Sequence, residues 1–404
     1  MSESKNMETN IRKVQFVIKS SKFCNLRCRY CYEFLELGNK AAITLEQLEQ
    51  MYKHIASYYL KLAHPVEIEF VWHGGEPLLQ PPDYYWQTFE QQQQVFAELR
   101  GNVTNTVQTN LTILNKESIQ LLKNGFDSVG ISIDLFGGLR VNKANIDSQK
   151  KVLANMNRLE KENISFSCIT VLTKLNLPYV QEIYKFYESR NISFRILPLF
   201  NGAFDGQHTG FEIDDNDVLK AFCTLVDLWM ESDQLVVVSP IVEYIAQILH
   251  YYTPNCEPYF YNKLEWESIY LVNVNGDVYS YADAYNPNFC HGNLFTTSME
   301  EIVLGIGHQK AIAAAEKRII STCTSCRYFG SCTGYPVAEL SISYNQIDKQ
   351  GKIYCVREKE VLQHIEIRLI QAGIIDPING SLKNIELGSL SKSLAAIPAL
   401  ASPV

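Results

Sequence analysis

Phe23-Cys24-Asn25-Leu26-Arg27-Cys28-Arg29-Tyr30-Cys31-Tyr32 sets three cysteines on one short stretch, spaced by three residues and then by two. Three thiolates so placed can hold three irons of a cubic 4Fe-4S cluster and leave the fourth iron open. An open iron is a site for chemistry. A structural zinc site wants four protein ligands, and no fourth sits close by in this stretch. A disulfide framework belongs to small secreted domains, whereas this chain has 404 residues and opens on the polar run Met-Ser-Glu-Ser-Lys without an apolar signal segment. The stretch therefore reads as an iron-sulfur ligand set.

Outward from it, β-branched runs alternate with amphipathic segments as far as Leu199, the pattern of parallel βα units. Strands are expected at Val14–Ile18, Val66–Trp72, Thr104–Gln108, Ser128–Ile133, Phe166–Val171 and Phe194–Pro198, with helices between them. Such units build an open or closed barrel whose site lies at the C-terminal ends of the strands. The cysteine loop follows the first strand, where that rule puts a site. The second strand runs into His73-Gly74-Gly75-Glu76-Pro77. Two glycines allow close backbone approach, and the carboxylate can accept hydrogen bonds from an ammonium group. The third and fourth strands end in Gln108-Thr109-Asn110 and Ser132-Ile133-Asp134, short polar groups that suit either a ribose or carboxylate ligand or capping of the next helix. Arg140 follows and is placed to pair with a carboxylate, or to be a solvated surface group.

With these residues in view the chain resembles the radical SAM superfamily, whose signature is Cys-x3-Cys-x2-Cys. The resemblance implies that the open iron is chelated by S-adenosylmethionine, and that reductive cleavage of this cofactor gives a 5'-deoxyadenosyl radical. It also implies that Gly74, Gly75, Glu76 and Pro77 bind the methionine amino group. Tyr30, Asn110, Ser132, Asp134 and Arg140 are further cofactor contacts on the same reading.

At 46% hydrophobic and 20% charged residues, the composition is that of a globular protein of two or three domains. A net charge of -8 argues against non-specific nucleic-acid binding. No apolar run approaches the roughly 18 to 20 residues of a membrane helix. A soluble cytoplasmic protein with small-molecule or peptide partners, without nucleic acid or membrane, is expected. Its eleven cysteines point to metal or redox chemistry.

The second half carries its own cysteine set: Cys323-x2-Cys326-x5-Cys332 and, after a helix-length gap, Cys355. The spacing alone suits zinc or a 4Fe-4S cluster. The half also resembles the SPASM and twitch domains of radical SAM enzymes, through Cys256, the hairpin Gly276-Asp277-Val278-Tyr279 and the turn Gly292-Asn293-Leu294. That resemblance implies an auxiliary 4Fe-4S cluster on Cys323, Cys326, Cys332 and Cys355. Two departures stand out. The SPASM pattern has a cysteine soon after the hairpin and another four residues after Cys332, both serving a second auxiliary cluster, and this chain has Ser280-Tyr281 and Pro336 there. Cys256 and Cys290 are then either ligands of a remnant cluster or small hydrophobes. Cys168 and Cys223 read as core residues.

The expected architecture is α/β: a partial (β/α)6 TIM-like barrel over residues 1–201, bridging helices over 202–252, a smaller cysteine-rich SPASM-like auxiliary-cluster domain over 253–372, and a disordered tail over 373–404. Ser132 to Arg140 and Phe329 to Glu339 are similar to peptide maturases that form cyclophane cross-links. This implies hydrogen abstraction from a side-chain carbon of a ribosomally made precursor peptide and attack of the carbon radical on an aromatic ring. The auxiliary cluster then takes up an electron. Asp283 is the candidate general base, against the reading of a plain loop carboxylate. A donor such as flavodoxin or ferredoxin supplies the reducing electron. With 23 residues ahead of Cys24, leader recognition is expected to use another surface or another protein. Tyr281, Tyr285 and Tyr335 suit either a peptide groove or the core. Epimerisation, thioether formation and formylglycine formation are alternative radical SAM outcomes, and a non-catalytic metal-binding sensor or scaffold is the alternative of another class.

Overall fold

The computed structural model describes residues 12–199, 209–234, 236–265, 269–281, 285–339 and 355–383. Strands and helices alternate first: β1 (Arg12–Ser21), α1 (Leu45–Tyr59), β2 (Val66–Gly74), α2 (Pro82–Val95), β3 (Gly101–Thr109), α3 (Lys116–Asn124), β4 (Ser128–Ser132), α4 (Gln149–Lys161), β5 (Ser167–Leu172), α5 (Val180–Ser189) and β6 (Phe194–Pro198). Then come α6 (Asp215–Glu231), β7 (Val238–Ser239), α7 (Ile241–Tyr252), β8 (Ile269–Val272), β9 (Asp277–Ser280), β10 (Gly292–Asn293), α8 (Met299–Leu304), α9 (Ile306–Thr322), α10 (Tyr335–Ala338) and α11 (Val356–Gln371).

β1 to β6 pair in chain order, each parallel to the next, as the βα pattern requires. The reason lies in their alternation. Val14, Phe16 and Ile18 on β1, with Val66, Ile68, Phe70 and Trp72 on β2, are fully buried against the helical layer. The intervening side chains share the opposite face, where Gln15 Nε2 and Thr106 Oγ1 donate to Glu69 at 2.6 and 2.5 Å. Capping boxes at Thr44 with Gln47 and at Asn115 with Ser118 start α1 and α3 where the strand-to-helix loops end.

The two halves of the chain share one sheet. β8 lies parallel to β1, pairing Gln15 with Ile269 through Ile18 with Val272, and β9 and β10 extend it antiparallel, giving ten strands in the order β10-β9-β8-β1-β2-β3-β4-β5-β6-β7. The hairpin expected around Gly276 is present, with Gly276 at φ +88°. The domain division expected between residues 201 and 253 therefore does not interrupt the sheet, because the exposed edge of β1 needs a hydrogen-bonding partner and β8 supplies it. Nor does the tail start at 373. β11 (Ile375–Asp376) and β12 (Ser381–Leu382) pair antiparallel, and Ile375 is fully buried. Residues 384–404, and all but the last two residues of the linker expected at 202–210, lie outside the described residues. Among the described residues no helix is long and apolar enough to cross a membrane.

Phe16 joins the halves, stacked on Phe70 of β2 at 5.7 Å and on Tyr270 of β8 at 5.4 Å. Phe16→Ala is expected to cost about 3–5 kcal/mol in denaturant unfolding. A loss below about 1 kcal/mol would mean that the stack contributes little to joining the halves.

Candidate active site

β1 ends at Ser21, and the cysteine loop that follows is held along its length by backbone. Cys24 N–H donates to Leu37 O at 3.1 Å, Arg27 N–H to Val141 O at 2.6 Å and Arg29 N–H to Leu139 O at 3.0 Å. Cys24, Leu26 and Leu37 are buried together, with Cys28, Cys31 and Phe34 packed around them. Burial pushes the Cys24 and Cys31 thiols up to about 12, so a metal must displace their protons in order to bind. Among the described residues no three His, Cys, Asp or Glu side chains close to the spacing of a single bound ion. A cubane, with its thiolates at separate corners, needs its ligands further apart.

Gly74 and Gly75 form the seat of this loop. A Cβ on Gly74 would stand 2.2 Å from Ser21 O, and one on Gly75 2.2 Å from Phe23 O and 2.4 Å from Lys22 O. Gly75 and Glu76 donate their N–H groups to Ser21 O at 2.9 Å and Phe23 O at 3.0 Å. The Glu76 carboxylate is spent on the protein itself. It accepts from Leu78 N at 2.9 Å, Thr109 Oγ1 at 2.7 Å and Asn110 N at 2.7 Å, and so splints the ends of β2 and β3. Burial raises its pKa in spite of these bonds. Pro77, also buried, starts the short turn that follows. Asn110 faces the cysteine loop: its Nδ2 donates to Asn25 Oδ1 at 3.0 Å and lies 3.8 Å from Cys24 Sγ. Its side chain therefore supports the segment that carries Cys24.

Asp134 closes the other side of the loop. One carboxylate oxygen accepts from Tyr30 Oη and, at 2.7 Å, from Arg140 Nε; the other accepts from Val171 N at 2.7 Å. Arg140 reaches Tyr30 Oη at 2.9 Å and Cys28 Sγ at 3.9 Å. Burial alone would weaken the charge on Arg140, but Asp134 and Tyr30 hold it fully protonated. Ser132 Oγ accepts from Gln108 Nε2 at 2.7 Å.

A second buried network was invisible in the sequence. Lys19 Nζ donates to Tyr32 Oη at 2.6 Å, approaches Glu33 at 3.2 Å and lies 3.3 Å from His73 Nδ1, while Tyr285 Oη donates to Glu33 at 2.8 Å. Lys19 is 0% and Glu33 4% exposed, so each charge depends on the other. Tyr285 thereby ties the segment after the hairpin to the cysteine loop. The alternation Gln15, Val17, Lys19 along β1 was the only available signal, since it puts Lys19 on the face opposite the core. The three tyrosines weighed as a groove do not share one environment: Tyr281 is half exposed, Tyr285 points to Glu33, and Tyr335 packs on Tyr261 at 5.0 Å. Asp283 lies outside the described residues.

In the second half Cys323, Cys326, Cys332 and Cys355 line one cavity of ≈ 250 Å³ with Pro336, Val337 and Glu358. α11 follows directly on Cys355 and braces the loop that carries the other three. Its Glu366 accepts from Arg327 Nη2 at 2.7 Å, from Tyr328 Oη at 2.8 Å and from Tyr252 Oη on α7. A buried Lys263–Glu339 pair at 2.6 Å, joined by Tyr261 Oη at 2.9 Å, ties the chain after α7 to the end of α10.

Residues 18–187 match the Radical SAM superfamily. The serine-type anaerobic sulfatase-maturating enzyme of Bacteroides thetaiotaomicron is 25% identical over 341 residues, 77% of this chain and 79% of that protein. The cysteine-type anaerobic sulfatase-maturating enzyme of Clostridium novyi is 24% identical over 231 residues, 55% of this chain and 61% of that one. Among solved structures, anSMEcpe with bound AdoMet superposes with a TM-score of 0.69 at 20% identity, covering 89% of this chain and 98% of that one. Streptococcus suis SuiB bound to S-adenosylmethionine superposes with a TM-score of 0.55 at 14% identity, covering 82% and 77%.

The chain thus carries a radical SAM domain in an α/β fold of parallel strands, and it is an enzyme whose cofactors are a 4Fe-4S cluster and S-adenosylmethionine. The residues present fit that pair: three thiols on one supported loop, a protonated guanidinium beside Cys28, and hydroxyl and amide groups at the ends of β3 and β4.

Gly75→Ala has no space for its methyl group and is expected to displace the cysteine loop. Reconstituted protein should then lose most of the visible absorption due to the first cluster while the auxiliary iron stays. Glu33→Gln, which strands Lys19 uncompensated, is expected to cost about 3–5 kcal/mol in denaturant unfolding.

Proposed function

We propose that this protein is a radical SAM peptide maturase that oxidatively cross-links a side-chain carbon of a ribosomally made precursor peptide to an aromatic residue. On this reading Cys24, Cys28 and Cys31 are the ligands of the first cluster, and Cys323, Cys326, Cys332 and Cys355 those of an auxiliary cluster. When bound, the cluster and S-adenosylmethionine supply a 5'-deoxyadenosyl radical that takes a hydrogen atom from the substrate. The observation that carries the reading is the supported cysteine loop together with a four-thiol cavity in a protein whose halves share one sheet.

The chain's residues bind, orient and manage charge. Arg140, kept charged by Asp134, offers its guanidinium to the cofactor carboxylate, and Tyr30 fixes its orientation. Ser132 and Gln108 offer a hydroxyl and an amide at the barrel mouth. Gly74 and Gly75 bring the backbone of the Gly-Gly-Glu-Pro turn against the cysteine loop, where an ammonium group can be met by backbone carbonyls. Loss of a ring proton in the last step needs a base, and Asp283, two residues before the anchored Tyr285, is assigned that role. A flavodoxin or ferredoxin would supply the reducing electron.

The sulfatase-maturating relatives favour a second reading, oxidation of a serine or cysteine side chain to formylglycine. Both readings begin at a side-chain carbon and both need an electron sink. The similarity of Ser132 to Arg140 and of Phe329 to Glu339, with Pro336 inside it, to cyclophane-forming maturases supports the cross-linking reading.

The test is the mass of a small precursor peptide encoded beside this protein, after anaerobic co-expression, compared with the Cys24→Ala, Cys28→Ala, Cys31→Ala variant. Loss of two hydrogens that depends on the intact triad, with no product captured by a hydrazine probe, is the expected outcome. The same loss at a serine, or that loss together with exchange of sulfur for oxygen at a cysteine, with hydrazine capture means a formylglycine aldehyde. An unchanged mass with deuterium uptake from heavy water means epimerisation and ends the cross-linking reading. Absence of 5'-deoxyadenosine from reduced, reconstituted protein would leave a non-catalytic scaffold.

A further inference from the structure

The SPASM resemblance implies a second auxiliary cluster, held by Cys256, Cys290, a cysteine after the hairpin and a cysteine four residues beyond Cys332. The residues in this chain do not fit it. At the hairpin end stands Ser280, fully buried, with its Oγ hydrogen-bonded to His291 Nε2 at 2.8 Å. The His291 ring packs on that of His308 at 4.7 Å, and His308 Nδ1 is bonded to Val303 O at 2.8 Å. Both rings are buried, and Tyr270 of β8 packs against both.

Cys290 is half-buried and contacts its own neighbours. Its Sγ lies 3.6 Å from Gly292 O, and its carbonyl lies so close under α9 that a Cβ on Gly307 would stand 1.7 Å from it. Cys256 is exposed, unlike every member of the two ligand sets assigned above. Pro336 lines the cavity of the Cys323 set. Two of four thiolates are therefore replaced by groups that bind these irons poorly or not at all: Pro336 has no ligand atom, Ser280 is already bonded to His291, and Tyr281 beside it offers a half-exposed phenol.

We infer that Cys256 and Cys290 hold no cluster and that the chain carries a single auxiliary 4Fe-4S centre. The chain then binds about eight irons when full, where a two-auxiliary SPASM enzyme binds about twelve. Oxidation of substrate then has one auxiliary cluster available as electron acceptor.

The experiment compares iron and acid-labile sulfide per chain, with the Mössbauer spectrum of iron-57, in anaerobically reconstituted wild-type protein, a Cys256→Ala, Cys290→Ala variant and a Cys323→Ala, Cys326→Ala variant. Matching circular dichroism and thermal unfolding establish that each variant is folded. The expected result is the same iron, sulfide and spectrum in the first variant as in wild type, and a loss of about four irons in the second. A fall of about two irons or more in the folded Cys256→Ala, Cys290→Ala variant overturns the inference. Because the comparison is between folded variants loaded alike, it holds whether or not the peptide reaction proposed above is found.

Discussion

Everything at the barrel mouth depends on a contact with no room in it. The backbone of Gly74 and Gly75 lies so close to the carbonyls of Ser21, Lys22 and Phe23 that only a hydrogen atom fits between them. Two peptide N–H groups then bond across the gap, at 2.9 and 3.0 Å, and the end of β2 becomes the bed on which the cysteine loop lies. A loop that carries three closely spaced thiols would otherwise have to find its own shape, and ordering each free residue costs about 1–2 kcal/mol. The strand end meets that cost before any ligand arrives.

Buried carboxylates do the rest of the positioning, and each serves several donors at once. Glu76 joins β2 to β3, and Asp134 joins β5 to Tyr30 and Arg140. Glu33 joins Lys19 to Tyr285, and Glu366 joins α11 to α7 and to the loop between Cys326 and Cys332. A carboxylate withdrawn from water is costly unless its lone pairs are filled, and a filled one is rigid. The chain places that rigidity around both cysteine sets. Arg140 is the most economical case, since the partner that aims it also keeps it charged.

The continuity of the sheet gives the two cysteine sets a common frame. β8 belongs by sequence to the second half, yet it completes hydrogen bonds that β1 would otherwise leave open, and Tyr270 on it stacks on Phe16. Tyr285, from the same half, reaches Glu33, two residues after Cys31. The two halves are therefore tied to each other by sheet, ring stack and hydrogen bond. The serine-histidine-histidine layer beside β9 belongs to the same joint and is a packing element.

Local patterns were enough for much of this. Alternating apolar residues located all six barrel strands, because a parallel strand buries one face whatever surrounds it, and Phe194–Pro198 agrees at both ends. Cysteine spacing and the Gly-Gly-Glu-Pro turn were legible because their chemistry lies within a few consecutive residues. What the sequence by itself determined is the fold class, the radical SAM chemistry and the thiols available to it. Only the tertiary structure decided that Glu76 and Asn110 support the protein's own backbone and loop, that Lys19 is buried against Glu33, that β8 closes on β1, and that Ser280 is bonded to His291. Those are pairings between residues from 11 to 254 positions apart. Local periodicity carries no information about them, because which donor meets which acceptor is settled by register and packing after the chain has folded.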